Sequence, residues 1–163
     1  MADVVDSVTR SRMMSGIRGK DTKPELLLRR GLHRLGFRYR LHGRILPGKP
    51  DLVFQSLRAV IFVHGCFWHG HDCHLFKWPS SRSEFWKEKI DGNRRRDVAS
   101  YEGLERDGWR VLTLWECAIK GRTSWAEGEI ANAVAQWLTR GSGNLELQVD
   151  DDGSAGRSDR LDG

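Results

Sequence analysis

Between His64 and His74 lie four of the chain's six histidines and two of its three cysteines. The block reads Val60-Ile61-Phe62-Val63-His64-Gly65-Cys66-Phe67-Trp68-His69-Gly70-His71-Asp72-Cys73-His74, so an apolar, β-branched run feeds directly into the ligands. Thiols and imidazoles at this density exceed what a packed core needs. They point to metal binding, to proton transfer, or to both side by side. Cys66, His71, Cys73 and the distant Cys117 make a candidate tetrahedral Zn²⁺ site that uses every cysteine in the chain. Four protein ligands close the coordination sphere, which is the arrangement of a structural zinc. His74, His69 and Asp72 are rival fourth ligands. The competing reading has Cys66 and Cys117 as small buried residues and Cys73 as incidental.

A second chemistry sits beside the first. Pro50-Asp51 heads a predicted strand, and Val63-His64 closes the next one twelve positions later. In a hairpin these two ends lie together. Aspartate is disfavoured at a strand head, so Asp51 calls for a reason. Ligation of a hard cation such as Mg²⁺ by carboxylate oxygen is one; closure of the Pro47-Gly48-Lys49-Pro50 turn is the other. His64 and His69 remain once zinc has its ligands, and free imidazoles beside a hard cation can take a proton from water or steady a charged oxygen. His64 also reads as an ordinary strand-end histidine. Phe67 and Trp68 fall between a zinc ligand and a candidate base, a poor place to hide two large rings. With Trp86 and the neighbouring Lys77, Arg82, Lys87, Lys89, Arg94, Arg95 and Arg96, they suit wedging between or stacking on bases. Core packing is the alternative for at least one of the three, whereas Trp109, Trp115 and Trp137 read as core.

The elements that must position these groups follow from pattern. Residues 1–22 form a basic lead-in, an arm or short helix with Met13, Met14 and Ile17 as its apolar members. Thr22 or Lys23 caps a helix with Pro24 in its first turn, and Leu26, Leu27, Leu28, Leu32 and Leu35 form its apolar face before Gly36. Glu25 in that first turn reads as a helix-dipole carboxylate. Phe37 to Leu41 alternates with arginines as a half-exposed strand. Asp51 to Phe54 and Arg58 to Val63 form a hairpin. Ser83 caps a long helix from Glu84 to about Asp107, Trp109 to Trp115 is a strand, and Ser124 opens a last helix. From residue 141 on, Gly, Ser and Asp dominate, and a flexible acidic tail over 141–163 is expected. The order α-β-β-β-α-β-α, with a right-handed crossover through the long helix, predicts an α/β domain over 23–140: a small mixed sheet with helices on both faces.

The formal net charge is +5 and the pI about 9.4, which favours a polyanionic partner. No apolar run is long enough to span a membrane and no signal peptide is visible, so a cytoplasmic, monomeric protein without membrane contact is expected. Three cysteines argue for a reducing compartment rather than a disulfide framework.

These residues together resemble the very-short-patch-repair (Vsr) DNA mismatch endonucleases, from about Ala2 to about Gly141. The resemblance is carried by Met1-Ala2-Asp3-Val4, Pro47-Gly48-Lys49-Pro50-Asp51, Val60 through Cys73, Glu84-Phe85-Trp86, Trp109-Arg110-Val111-Leu112 and Trp115-Glu116-Cys117-Ala118. It implies a restriction-endonuclease-like fold and Mg²⁺-dependent nicking of one strand 5′ to the thymine of a T·G mismatch in nucleoid DNA, with repair proteins as further partners. By position it implies Asp51 as the Mg²⁺ carboxylate, joined by the backbone carbonyl of Val63, and His69 as general base. Glu25 and His64 complete the polar shell, and Cys66, His71, Cys73 and Cys117 are the zinc ligands. It further implies Phe67, Trp68 and Trp86 as an aromatic wedge, Met14 as an apolar minor-groove contact, and Lys89 and Asn93 as groups meeting the wobble pair. The usual second carboxylate and lysine of the wider fold are absent; Val63-His64-Gly65 stands in their place, and the family often has Thr at the Val63 position. Three other functions compete: a zinc-stabilised module that senses mismatches without cleavage, a zinc hydrolase with another substrate, and a Cys/His domain for protein contacts.

Overall fold

The computed structural model describes residues 22–119, 125–149 and 155–160. Helix α1 (Lys23–Arg34) begins at Thr22, whose hydroxyl accepts the amide of Glu25, with Pro24 in the first turn. Strands β1 (Arg40–Leu41), β2 (Leu52–Phe54) and β3 (Ala59–His64) follow, then helix α2 (Ser83–Arg106) and strand β4 (Arg110–Trp115). Helix α3 (Glu127–Arg140) leads to β5 (Asn144–Val149) and β6 (Ala155–Arg160). The six strands form one sheet in the order β1-β2-β3-β4-β5-β6. The β1/β2, β2/β3 and β5/β6 pairs are antiparallel, and β3/β4 and β4/β5 are parallel. The predicted hairpin, crossover helix and mixed sheet are therefore all present.

Alternation along β3 assigns the two faces. Ala59 and Ile61 join Leu112, Leu114, Leu28, Leu32, Val134 and Trp137 in the larger core cluster, under α1 and α3. Val60 and Phe62 join Val111, Tyr101, Leu104 and Trp109 in a second cluster, under α2. Both faces are covered, so the strands read as nearly continuous apolar runs. Trp109, Trp115 and Trp137 are buried, as expected of core residues. Helices α1 and α3 approach closely at Gly31, where a Cβ would meet that of Ala131 at 2.8 Å. Arg110 clamps the end of α3: its guanidinium donates to the carbonyls of Trp137, Leu138 and Gly141, and the Trp137 carbonyl also accepts the Gly141 amide at 3.0 Å.

The expected flexible tail from residue 141 needs correction. Asn144–Val149 is a strand paired in parallel with β4, through Leu112↔Leu145 and Leu114↔Leu147. Leu147 is fully buried in the larger cluster, and the side-chain amide of Asn144 accepts the Val111 amide at 2.7 Å. Burying the free edge of β4 outweighs the polar composition around it. Ala155–Arg160 pairs with this strand in turn. Residues 1–21, including Met14 of the predicted arm, and Ser124, predicted to open the last helix, lie outside the described residues.

Candidate nuclease site and metal centre

Strand β3 delivers its C-terminal end to a cluster of polar groups. The Asp51 amide donates to the Ile61 carbonyl at 3.0 Å, and the Asp51 carboxylate accepts the Val63 amide at 2.7 Å. The hairpin thus docks Asp51 against the last residues of β3, as its spacing predicts. Glu25 reaches the same place from α1. It is 1% exposed, bound by Arg29 at 3.0 Å, and lies 3.6 Å from His42. Burial pushes the Asp51 carboxyl up to about 7; the Val63 amide pulls it down, and the hydrogen bond and charge of Glu25 add to the rise. Two carboxyl groups held together out of water are costly unless a cation joins them, so this donor set fits a hard divalent ion. Glu25 is therefore more than a helix-dipole residue.

His64 is the next residue along β3. It is buried, its Nδ1 lies 3.3 Å from the Tyr101 hydroxyl, and its ring stacks on that of His69 at 3.7 Å and 5°. His69 Nδ1 lies 2.5 Å from the Asp97 carboxylate. With Asp97 accepting the Nδ1 proton, Nε2 of His69 keeps its lone pair and is the atom able to take a proton. Asp97, inside the predicted long helix, is a functional candidate to which the sequence assigned no role. His64, His69 and Asp97 lie close enough together to hold a metal ion. Stacked parallel imidazoles, however, aim their in-plane lone pairs side by side rather than at one point, so proton handling suits them better.

The four expected soft ligands converge. One ligand atom from each of Cys66, His71, Cys73 and Cys117 lies within 4.8 Å of the others. The Cys117 amide donates to Cys66 Sγ at 3.3 Å, and His71 Nδ1 lies 3.7 Å from Cys117 Sγ. Contact with Cys117 and burial push the Cys66 thiol up, the strain of crowding thiols that a shared cation relieves. His71 Nε2 bonds Gln148 on β5 at 2.8 Å, fixing the ring with Nδ1 toward the sulfurs. The rivals His74 and Asp72 are exposed and His69 is engaged by Asp97, so none of the three joins the group. Trp115 separates the two clusters: His71 stacks on it at 4.0 Å, and His64 and His69 meet its edge at 5.4 and 6.2 Å.

Phe67, Trp68 and Trp86 pack mutually at 5.3 to 5.7 Å, each half-buried. Phe76, Trp78 and Phe85 extend the group, which sequence reading missed; Trp78 is 50% exposed and Arg82 sits over the Phe85 ring at 4.4 Å. Asn93 donates to the Trp68 carbonyl at 2.8 Å and accepts from Arg96, so in the free protein it braces the ridge. Lys89 lies half-buried on the same helix.

Residues 2–75 match the family model for DNA mismatch endonuclease Vsr. The chain is 44% identical over 153 residues to the DNA mismatch endonuclease Vsr of Escherichia coli, covering 94% of this chain and 97% of that one. It is 46% identical over 119 residues to the Type II nicking enzyme V.XorIIP of Xanthomonas oryzae pv. oryzae, covering 73% of this chain and 88% of that one. It is 43% identical over 122 residues to the Type II nicking enzyme V.NmeAIP of Neisseria meningitidis, covering 75% and 87%. Fold, site and relatives together define a DNA endonuclease. The chain belongs to the Vsr DNA mismatch endonuclease family. The sensing module without cleavage, the unrelated zinc hydrolase and the protein-contact domain all give way to this. No helix among the described residues is long and apolar enough to cross a membrane.

Proposed function

We propose that the protein is a Mg²⁺-dependent nicking endonuclease that cuts one strand of duplex DNA 5′ to the thymine of a T·G mismatch, in very short patch repair. The observation that supports this reading is that the end of β3 bears both groups: Val63 is bonded to Asp51, which Glu25 perturbs, and the next residue, His64, stacks on the Asp97-held His69. Asp51, with the Val63 carbonyl, would hold Mg²⁺, which would supply positive charge at the phosphate; water attacks phosphorus and the 3′ oxygen leaves. His69 takes the proton of the attacking water through Nε2, and Asp97 steadies the imidazolium that forms. His64 and Tyr101 hold the His69 ring in place from its other face. Val63 contributes backbone only, so the absence of a hydroxyl there costs nothing in this scheme.

The ridge supplies selectivity. A wobble pair stacks less well than a matched one, so parting it with Phe67, Trp68 and Trp86 costs less. Lys89 and Asn93 meet the displaced pair, and Met14 enters from the minor-groove side. Cys66, His71, Cys73 and Cys117 hold a structural Zn²⁺ that ties the loop carrying the rings to the end of β4. The core fold is restriction-endonuclease-like. The protein acts as a monomer in the cytoplasm, on nucleoid DNA.

A strand-nicking assay on T·G and matched duplexes, with and without Mg²⁺, tests this. Wild type is expected to nick only the mismatched strand, and Asp51→Ala and His69→Ala to lose cutting. Full cutting by both variants would remove the mechanism, and equal nicking of matched duplex would remove the mismatch reading.

A further inference from the structure

The segment Leu26–Pro50 carries six arginines and Lys49 and not one aspartate or glutamate. Arg34, Arg38, Arg40, Arg44 and Lys49 are exposed, and among the described residues none of them forms an ion pair. Apolar groups stand among them: Leu41 is 37% exposed, and Ile45, at the outer end of the turn between β1 and β2, is 98% exposed. Charge on an edge strand discourages strand pairing by itself, but that role needs no isoleucine in water.

The turn is tied by backbone hydrogen bonds to the residues that lead into β2, Asp51 among them. The His42 and Gly43 amides donate to the carbonyls of Asp51 and Pro50 at 2.9 and 2.8 Å. Leu46 donates to Gly43 and Lys49 to Leu46 at 3.2 and 3.0 Å. Pro47 packs so near α2 that a Cβ on Gly103 would meet its ring at 3.2 Å. Sheet order then puts the cationic edge (β1) and the rings (beyond β3) on opposite sides of Asp51, which heads β2. A duplex whose scissile phosphate meets Asp51 and whose mismatch meets the rings must leave in the other direction over this edge.

We propose that the β1 edge and its turn, with Arg38, Arg40, Arg44 and Lys49 around Ile45, form a second DNA-binding surface for the duplex arm on the 5′ side of the cut. The inference rests on the mismatch-nicking orientation proposed above. Arginine and lysine pair with phosphates, Ile45 makes apolar groove contact, and a turn already ordered loses little freedom on binding.

Fluorescence anisotropy with the full chain and T·G duplexes, without added divalent cation, tests the surface. The variant Arg40→Gln/Arg44→Gln/Lys49→Gln should flatten the slope of log affinity against log salt by about 2 to 3. Removing the 5′ arm of the duplex should weaken wild-type binding about tenfold or more but leave the variant nearly unaffected, since each phosphate contact adds to the salt-dependent term. Removing the 3′ arm should weaken both alike. Arg40→Lys/Arg44→Lys should keep the wild-type slope, because charge rather than fork geometry is at work, and Ile45→Ser should weaken binding at unchanged slope. A triple variant with wild-type slope and wild-type arm dependence overturns the proposal while leaving the nuclease reading intact. A stronger effect on RNA duplex than on DNA overturns the assignment of partner. A wild type that binds no T·G duplex overturns both readings.

Discussion

Two sets of polar side chains gather at the C-terminal ends of β3 and β4, and they differ in every respect that matters to a metal. Cys66, His71, Cys73 and Cys117 present sulfur and nitrogen, with Cys66 and Cys117 fully buried. Glu25 and Asp51 present oxygen at Val63, and the next residue, His64, begins a pair of imidazoles held by Tyr101 and Asp97. The first set can satisfy a borderline-soft ion completely and leaves it no opening. The second offers a hard ion few protein ligands and hence room for water and phosphate. On the function proposed above, one end of one sheet separates holding the fold from doing the chemistry by donor type alone.

The largest expected effect lies on the soft side. Structural zinc contributes on the order of 10 kcal/mol in small domains, so Cys117→Ser or zinc removal should abolish the cooperative thermal transition. Calorimetry on zinc-stripped protein reads this; an unchanged transition would erase the division of labour. On the hard side, His69→Ala should lower nicking about 10²- to 10⁴-fold with the melting temperature and zinc content of wild type. Loss of zinc together with activity would mean that the clusters are not separable. Gln148→Ala should weaken zinc binding about 10- to 100-fold, read by chelator competition, and leave Mg²⁺ dependence alone.

The smallest effect concerns pH. An aspartate in the unfolded chain titrates near 3.9, whereas burial and Glu25 carry Asp51 up to about 7 in the fold. The folded protein therefore holds this proton more tightly, and the stability it lends declines as pH rises from about 4 to about 7. Without Mg²⁺, Asp51→Asn should be more stable than wild type at pH 8 and equal to it near pH 4. Denaturant titrations at the two pH values measure this. At limiting Mg²⁺, wild-type nicking should fall as pH drops below about 7, since a protonated carboxyl is a poor cation ligand.

Legibility in the sequence followed distance along the chain. The Cys/His block could be read because most of its ligands are near neighbours, and Cys117 because no other cysteine remained. The hairpin bringing Asp51 to Val63 followed from strand spacing. Asp97 lies 28 positions beyond His69, on a helix whose same side carries Trp86, Ile90 and Asn93. A carboxylate recurring on that side at helical spacing was the available signal. Glu25 was read through the dipole of its own helix because only the tertiary fold sets it against Asp51. The strand Asn144–Val149 was hidden by its flanks, although Leu145, Leu147 and Val149 alternate with polar residues as a strand requires.

Trp115 is the common wall between imidazoles of both clusters. Oxidation of the nearby thiols would remove the support behind one of its faces, and on the function proposed above the histidines on the other side handle the proton. On that same proposal, cutting would then be lost before any residue of the proposed nuclease site had itself been damaged.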